Sequence, residues 1–140
     1  MRPRPSRLAA VAAALALAGC GASESSSAGR FEGPEKEVAQ VVEDLQRAAM
    51  ARDAEKACSE LLSRELVRQI EEGGSCAAEV EQAMKEAGDY ELRVTDVTVQ
   101  GDSATARVLP GADRGRAETF ELVRQDGRWR VDAFAAGSAG

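Results

Sequence analysis

The hydrophobic period of this 140-residue chain changes near Gly88, and this change restricts the possible folds more than any other feature. Between Pro34 and Gly88 the apolar residues recur at helical spacing, whereas beyond Gly88 they alternate with polar residues in short runs. Helices followed by strands that are joined by tight turns are typical of an α+β domain. We therefore expect helices packed on one face of an antiparallel sheet.

The helical part divides at recognisable start and stop signals. Pro34 suits the first turn of a long helix, and Asp53, Ser63 and Ser75 are each placed to cap a later helix. Gly73 and Gly74 are expected to end the third helix. The residues predicted to face the core are Val38, Val41, Val42, Leu45 and Ala49 in the first helix, followed by Cys58, Leu61, Leu66, Ile70, Val80, Ala83 and Met84.

The strand part contains one irregularity and two tight turns. The apolar alternation up to Val94 and the alternation from Val97 onward are in opposite phase, which predicts a β-bulge at Thr95 and Asp96. The dipeptides at 101–102 and 126–127 have the composition of hairpin turns. Charged residues near the last turn are expected to form ion pairs on the outer face of the sheet, Arg128 and Arg130 with Glu121 or Asp132.

The first 19 residues have the organisation of an export signal. Three arginines precede an apolar segment, residues 8–18, which is far shorter than the ~20 residues that span a bilayer. The sequence LAGC at 17–20 resembles the lipobox of bacterial lipoproteins. This resemblance implies that Cys20 becomes the lipidated first residue of the mature chain, anchored at the outer face of the plasma membrane. A buried alanine-rich helix is the alternative, and the charged flank fits it poorly.

The domain boundaries follow from these signals. We expect a signal peptide at 1–19, the lipidated cysteine and a flexible Ser/Gly tether at 20–33, a folded domain at 34–136 and a disordered tail at 137–140. Loss of the signal lowers the number of basic residues from 18 to 15 against 24 acidic ones, so the mature chain carries a charge of −9. Such an acidic chain is not suited to bind nucleic acid.

Cys58 and Cys76 remain as an even pair in a chain that is expected to be exported. Such a pair is expected to form a disulfide, which would tie the second helix to the start of the last one. A redox-active pair or a metal site is less well supported, because the chain has neither a C-x-x-C spacing nor a histidine. We expect no metal and no cofactor.

The order of elements and the closing segment FELVRQDGRWRVDAF, residues 120–134, resemble the NTF2-like superfamily, also called SnoaL-like or cystatin-like. More narrowly, the chain resembles small cysteine-paired lipoproteins of this fold from actinobacteria. The resemblance implies a cone, in which N-terminal helices lie across a strongly curved antiparallel sheet and leave a cavity at the open end. The fold hosts enzymes, carriers and interaction modules, so it does not define the function.

The apolar side chains that would face the interior of this cone are candidate binding residues. The residues expected to line a pocket are Leu62, Leu66, Tyr90, Leu92, Phe120, Leu122 and Trp129. The same residues could instead fill the cone as its core, because the chain has only three Phe, one Tyr and one Trp.

A catalytic role has two candidate residues. Enzymes of the ketosteroid isomerase kind hold carboxylates inside the cone, where Asp96 could act as acid or base and Tyr90 as a hydrogen-bond donor. Asp96 is better explained as a solvated bulge residue, and the absence of histidine excludes any mechanism that uses imidazole. We expect no catalytic residue in this chain.

Three functions are compatible with these observations. The first is a lipid-anchored, non-catalytic interaction module that contacts another protein of the cell envelope. The second is binding of a small apolar or amphipathic ligand in the cone, and the third is an enzyme of the SnoaL or ketosteroid isomerase kind. A roomy apolar cavity would favour the ligand, whereas an exposed apolar patch would favour the protein partner.

Overall fold

The computed structural model describes residues 26–88, 91–110 and 116–136. It contains an N-terminal turn of 3₁₀ helix (Ser27–Arg30), α1 (Gly33–Ala51), α2 (Ala54–Lys56), a π turn (Ala57–Leu61), α3 (Arg64–Glu71), α4 (Cys76–Ala87), β1 (Leu92–Gln100), β2 (Ser103–Pro110), β3 (Glu118–Gln125) and β4 (Arg128–Ala136). The strands form one antiparallel sheet in the order β1-β2-β3-β4. The predicted α+β order is confirmed. No helix of the described part is long and apolar enough to cross a bilayer.

Helix α1 lies across the inner face of the sheet, where it contacts β1, β2 and β4. Val38, Ala39 and Val42 are fully buried on this side of α1. They form one hydrophobic core with inward residues of the strands, since spacings of three and four place them on one helix face. The strand residues of this core are Val94, Ala104, Ala106, Val108, Phe120, Leu122, Trp129 and Val131.

The three predicted helix caps are confirmed. The side chains of Asp53, Ser63 and Ser75 each accept a hydrogen bond from a backbone N–H three residues ahead. One core prediction in α4 is wrong. Ala83 is exposed, because the buried stripe of α4 runs through Val80 and Met84, and Ala83 lies about 100° from Met84 around the helix.

The sheet is bent by two bulges. The pairing of β1 with β2 shifts between Val94 and Asp96, which confirms the predicted bulge. A second shift, in the pairing of β3 with β4, leaves Asp132 as the extra residue. The turn between β3 and β4 has positive φ at both Asp126 and Gly127, as a two-residue type I′ turn requires. Bulges bend strands and increase their twist, and this accounts for the curvature of the sheet.

The predicted disulfide is confirmed. Cys58 lies in the π turn and Cys76 is the first residue of α4, with 6.2 Å between their Cα atoms. The bridge closes a loop with a sequence separation of 18 residues. A loop of that length contributes about 3 kcal/mol to stability when its closure entropy is removed from the unfolded chain.

Residues before the predicted domain boundary at 34 also pack against α1. Ala28 is 2% exposed, and the carboxylate of Glu43 in α1 accepts hydrogen bonds from Ser26 Oγ, Ser27 Oγ and the Ala28 N–H. The predicted tether at 20–33 is therefore wrong from residue 26 onward. Residues 26–28 belong to the packed domain, because serine hydroxyls that suit a solvated linker also satisfy a carboxylate on α1.

The two edges of the sheet are both contacted by the helical part. At the β4 edge, Leu62 forms a parallel bridge with Val131, and the Ser63 N–H donates to the Val131 carbonyl at 2.8 Å. At the β1 edge, the contacts come from side chains. Ser27 Oγ accepts from Val94 N, Arg30 donates to Val94 O and Gln46 Oε1 accepts from Leu92 N.

The remaining predictions on domain organisation concern residues outside the described part. They are the signal peptide, Cys20, the residues of the tether up to 25, Tyr90 and the tail at 137–140.

Candidate functional site

The predicted pocket residues that the structure describes lie in the core. Leu62, Phe120, Leu122 and Trp129 are between 1% and 4% exposed and belong to one cluster. Two others, Leu66 and Leu92, are half-buried and packed against that cluster. Their side chains are packed in or against this core cluster, as the core interpretation of the sequence expects.

An aromatic side chain is exposed at the end of the sheet where β3 begins and β4 ends. Phe134 is 50% exposed, and its ring meets Phe120 edge to face with 4.8 Å between the centroids. The pairing of Phe120 with Phe134 lies close to the paired ends at Leu92 with Pro110 and at Glu118 with Ala136. An apolar surface thus continues from the core to solvent at this end.

A cleft opens at the other end of β4, between α1, the π turn and the turn that joins β3 to β4. Its volume is about 280 Å³. Three carboxylates and one guanidinium face it together with apolar atoms, so the cleft is amphipathic. The lining residues are Glu37, Val41, Asp44, Glu60, Leu61, Gly127, Arg128 and Trp129. Only Trp129 among them was a predicted pocket residue, because the other seven come from helix surfaces and a turn.

Two of the residues that line the cleft, Glu37 and Trp129, both contact the side chain of Arg124. The Arg124 guanidinium lies 4.8 Å from the Trp129 ring centroid, and the Glu37 carboxylate lies 3.8 Å from Arg124. Arg124 and Trp129 are direct partners in the β3–β4 pairing, so both point to the inner face of the sheet. The buried Nε1 of Trp129 has no hydrogen-bond partner within the described part of the chain. An unpaired buried donor costs about 1–3 kcal/mol.

The charged residues around the last turn form different contacts from those predicted. Arg130 donates to the backbone carbonyls of Ser59 and Leu62, at 2.9 and 3.4 Å. Asp132 accepts from Ser63 Oγ at 2.5 Å. The bulge at Asp132 and the carbonyls left free at the end of the π turn account for this exchange of partners, which sequence spacing does not reveal.

Of the two catalytic candidates, the structure describes only Asp96. Asp96 is exposed on the outer face, opposite Arg107 of β2, and Tyr90 lies outside the described residues. The described ranges hold no cluster of three potential metal ligands. A hydrogen bond and the charge of Lys85 lower the pKa of the Glu81 carboxyl below its usual 4.5, but this exposed pair on α4 is not part of the cleft.

Comparison with known proteins supports the fold. No family model and no curated protein matches the chain. Two of the solved structures that are similar to it each have a TM-score of 0.54. A de novo designed NTF2 fold protein, NT-9, is 18% identical over 74% of this chain and 87% of its own. A SEC-C motif-containing protein from Rhodopseudomonas palustris is 19% identical over 80% of this chain and 87% of its own. The domain thus has the expected NTF2-like fold.

Proposed function

We propose that the chain is exported, lipidated on Cys20 and held at the outer face of the plasma membrane as a non-catalytic NTF2-like interaction module. The sequence LAGC behind an arginine-led apolar segment supports the anchor. The packing of the predicted pocket residues supports the interaction role. Leu62, Phe120, Leu122 and Trp129 are buried in one core cluster, so these four candidate pocket residues are packed against one another.

The surface that we assign to the partner is the end of the sheet around Phe134, which we take as the open end that the family resemblance implies. This ring is half exposed and is supported from below by Phe120, so it is a rigid apolar contact point. Aromatic residues of this kind contribute strongly to protein interfaces when they become fully buried.

The anchor is tested by replacing Cys20→Ser and fractionating cells that produce the full chain. The wild-type protein should sediment with membranes, and the variant should be released from them, since the thioether cannot form. Cys58→Ala serves as a control that removes a cysteine but keeps the lipobox. Firm attachment of the Cys20→Ser chain would contradict the anchor.

The interaction surface is tested by placing a photo-crosslinking amino acid at position 134 in producing cells. We expect one discrete crosslinked protein. The matched control is position 50, because Met50 is also a large apolar residue, 59% exposed, and belongs to the end of α1. Equal crosslinking from both positions, or none from position 134, would contradict a partner at the open end.

A second candidate function is binding of a small amphipathic ligand, and the cleft beside Trp129 favours it. Val41, Leu61 and Trp129 offer apolar contact, and the carboxylates offer polar contact. Native mass spectrometry of mildly extracted protein should then show a reproducible adduct. Val41→Trp should remove the adduct by filling the cleft, and an empty domain would leave the interaction module as the only candidate of the two.

A further inference from the structure

The edge of β1 beyond its bulge carries backbone groups that nothing else in the described structure binds. In the β1–β2 pairing, the N–H and C=O groups of alternate residues point to β2 and to the outside. The backbone N–H groups of Leu92 and Val94 and the C=O group of Val94 point away from β2, because they bond to Gln46, Ser27 and Arg30. The bulge shifts this alternation by one residue. The next residues whose N–H and C=O groups point away from β2 are therefore Val97 and Val99.

The free stretch is residues 96–100, and it ends at the turn into β2. Its composition, Asp-Val-Thr-Val-Gln, favours strand pairing, and it contains no lysine or proline, the residues that commonly block exposed edges. Among the described residues, none forms a hydrogen bond with the main chain of Val97 or Val99 across this edge. An edge of this kind is a template for a further strand.

We propose that this edge pairs with the same edge of a second copy of the chain, in antiparallel orientation and centred on Thr98. In this register Val97 lies opposite Val99 of the partner subunit, and both present outward N–H and C=O groups, so four hydrogen bonds form. The two Thr98 side chains meet at the two-fold axis. Asp96 then faces Gln100 of the partner subunit, so no like charges oppose each other.

Two further features fit a second copy. The paired stretch ends at the turn between β1 and β2, and this places Asp102 of the partner subunit beside Val94. The Arg30 guanidinium lies at the same point, since it donates a hydrogen bond to the Val94 carbonyl. Opposite charges thus meet at both ends of the pairing. The two-fold axis is perpendicular to the sheet, so both copies of α1 lie on the same side of an eight-stranded sheet. This inference does not depend on the proposed envelope partner.

Disulfide trapping in producing cells tests the register. Thr98→Cys places two cysteines opposite each other at a non-hydrogen-bonded position, where Cα atoms are about 4.5 Å apart. This distance is within the range of a disulfide, roughly 4.4–6.8 Å. Thr105→Cys is the matched control, because Thr105 is the exposed partner of Thr98 on β2 and lies one strand further from the axis on each side. The Cα atoms of residue 105 in the two copies would be about 14 Å apart, and this distance excludes a disulfide.

With a mild added oxidant, the full chain carrying Thr98→Cys should give a crosslinked dimer in several-fold excess over Thr105→Cys. Equal yields would overturn the proposal. A crosslink from Thr98→Cys to a protein of a different mass would also overturn self-pairing and would assign the edge to a strand of that protein.

A charge at the two-fold axis gives an independent test by sedimentation equilibrium of the purified full chain in detergent. Thr98→Lys places two ammonium groups opposite each other and should shift the wild-type dimer to monomer, whereas Thr105→Lys should leave the dimer unchanged. Both positions are exposed, so neither variant should change the fold. A wild-type chain that remains monomeric at every concentration, or a Thr98→Lys chain that remains dimeric, would contradict the pairing.

Discussion

At the β4 edge of the sheet a segment of main chain binds the outward backbone groups of Val131, whereas at the β1 edge three side chains bind those of Leu92 and Val94, before the bulge. Leu62 and Ser63 run beside Val131 and follow directly on the π turn that the disulfide ties to α4. The β1 edge depends on Ser27, Arg30 and Gln46. Both arrangements satisfy outward N–H and C=O groups, which would otherwise be available to another strand.

The difference lies in what holds each arrangement. The main-chain closure is fixed by a covalent bridge and by a fully buried serine. The side-chain closure depends on a short turn, which one carboxylate, that of Glu43, holds on α1. We therefore expect the β4 edge to open only with global unfolding and the β1 edge to open locally at a lower free energy.

Removal of the disulfide should have the largest effect. Cys58→Ala combined with Cys76→Ala should lower the free energy of unfolding by about 3 kcal/mol, because the unfolded chain regains the entropy of an open loop. In a domain of this size the melting temperature should fall by roughly 12–24 °C. Thermal unfolding followed by circular dichroism measures it, with Cys20→Ser as the control. An unchanged melting temperature would mean that the bridge adds nothing to the β4 side.

Ser63→Ala should have the next largest effect. Ser63 is fully buried, its Oγ accepts from the Leu66 N–H, and its hydroxyl donates to Asp132. Loss of both bonds leaves the Leu66 N–H and the Asp132 carboxylate without these partners. The free energy of unfolding should fall by about 2 kcal/mol. Ser75→Ala removes the equivalent cap at an exposed site and should cost about 1 kcal/mol or less. Equal losses in denaturant titrations would contradict a special role for the β4 edge.

Glu43→Gln should release the N-terminal turn with a smaller global effect, about 1 kcal/mol, since a neutral amide accepts weaker hydrogen bonds than a carboxylate. The sensitive measurement is amide hydrogen exchange. The Val94 N–H donates to Ser27 Oγ and should exchange faster in the variant. The Ser63 N–H at the other edge should exchange at the same rate as in the wild type. Asp44→Asn controls for a lost charge at the neighbouring position. Equal acceleration at both edges would show that they open together.

Lys85→Met should change the free energy of unfolding least of these variants. It serves as a reference substitution on α4, away from both edges of the sheet. Lys85 lies 2.8 Å from Glu81, and it lowers the pKa of the Glu81 carboxyl below 4.5. The stabilisation from a lowered carboxyl pKa is present above the unfolded-state value and is lost as the pH falls through the folded-state value. In the variant the pKa should return towards 4.5, as an NMR titration would show. An unchanged pKa would mean that the pair does not form in solution.

The sequence predicted those features that depend on neighbouring residues. The caps at Asp53, Ser63 and Ser75, the turn at Asp126 and Gly127, and the bulge before Asp96 each depend on chemistry within a few residues. The disulfide could be predicted because an even cysteine pair in a chain with the features of an export signal is expected to be oxidised.

Features that depend on distant partners could not be predicted in this way. The segment at 26–30 has the composition of a linker, and only a carboxylate placed by α1 makes it part of the fold. Arg130 bonds to the carbonyls of Ser59 and Leu62, which the end of the π turn places about 70 residues away in sequence beside β4. The cleft was missed for the same reason, since its lining comes from three elements far apart in sequence.

The early docking of the chain also determines how far the domain can move from its proposed anchor. Only residues 21–25 separate Cys20 from Ser26, the first residue bonded to Glu43. Even fully extended, six residue steps cover roughly 20 Å. If Cys20 carries the lipid, the β1 edge is held within this distance of the bilayer surface. The domain then samples a thin layer next to the membrane, and any partner must present its binding surface within that layer.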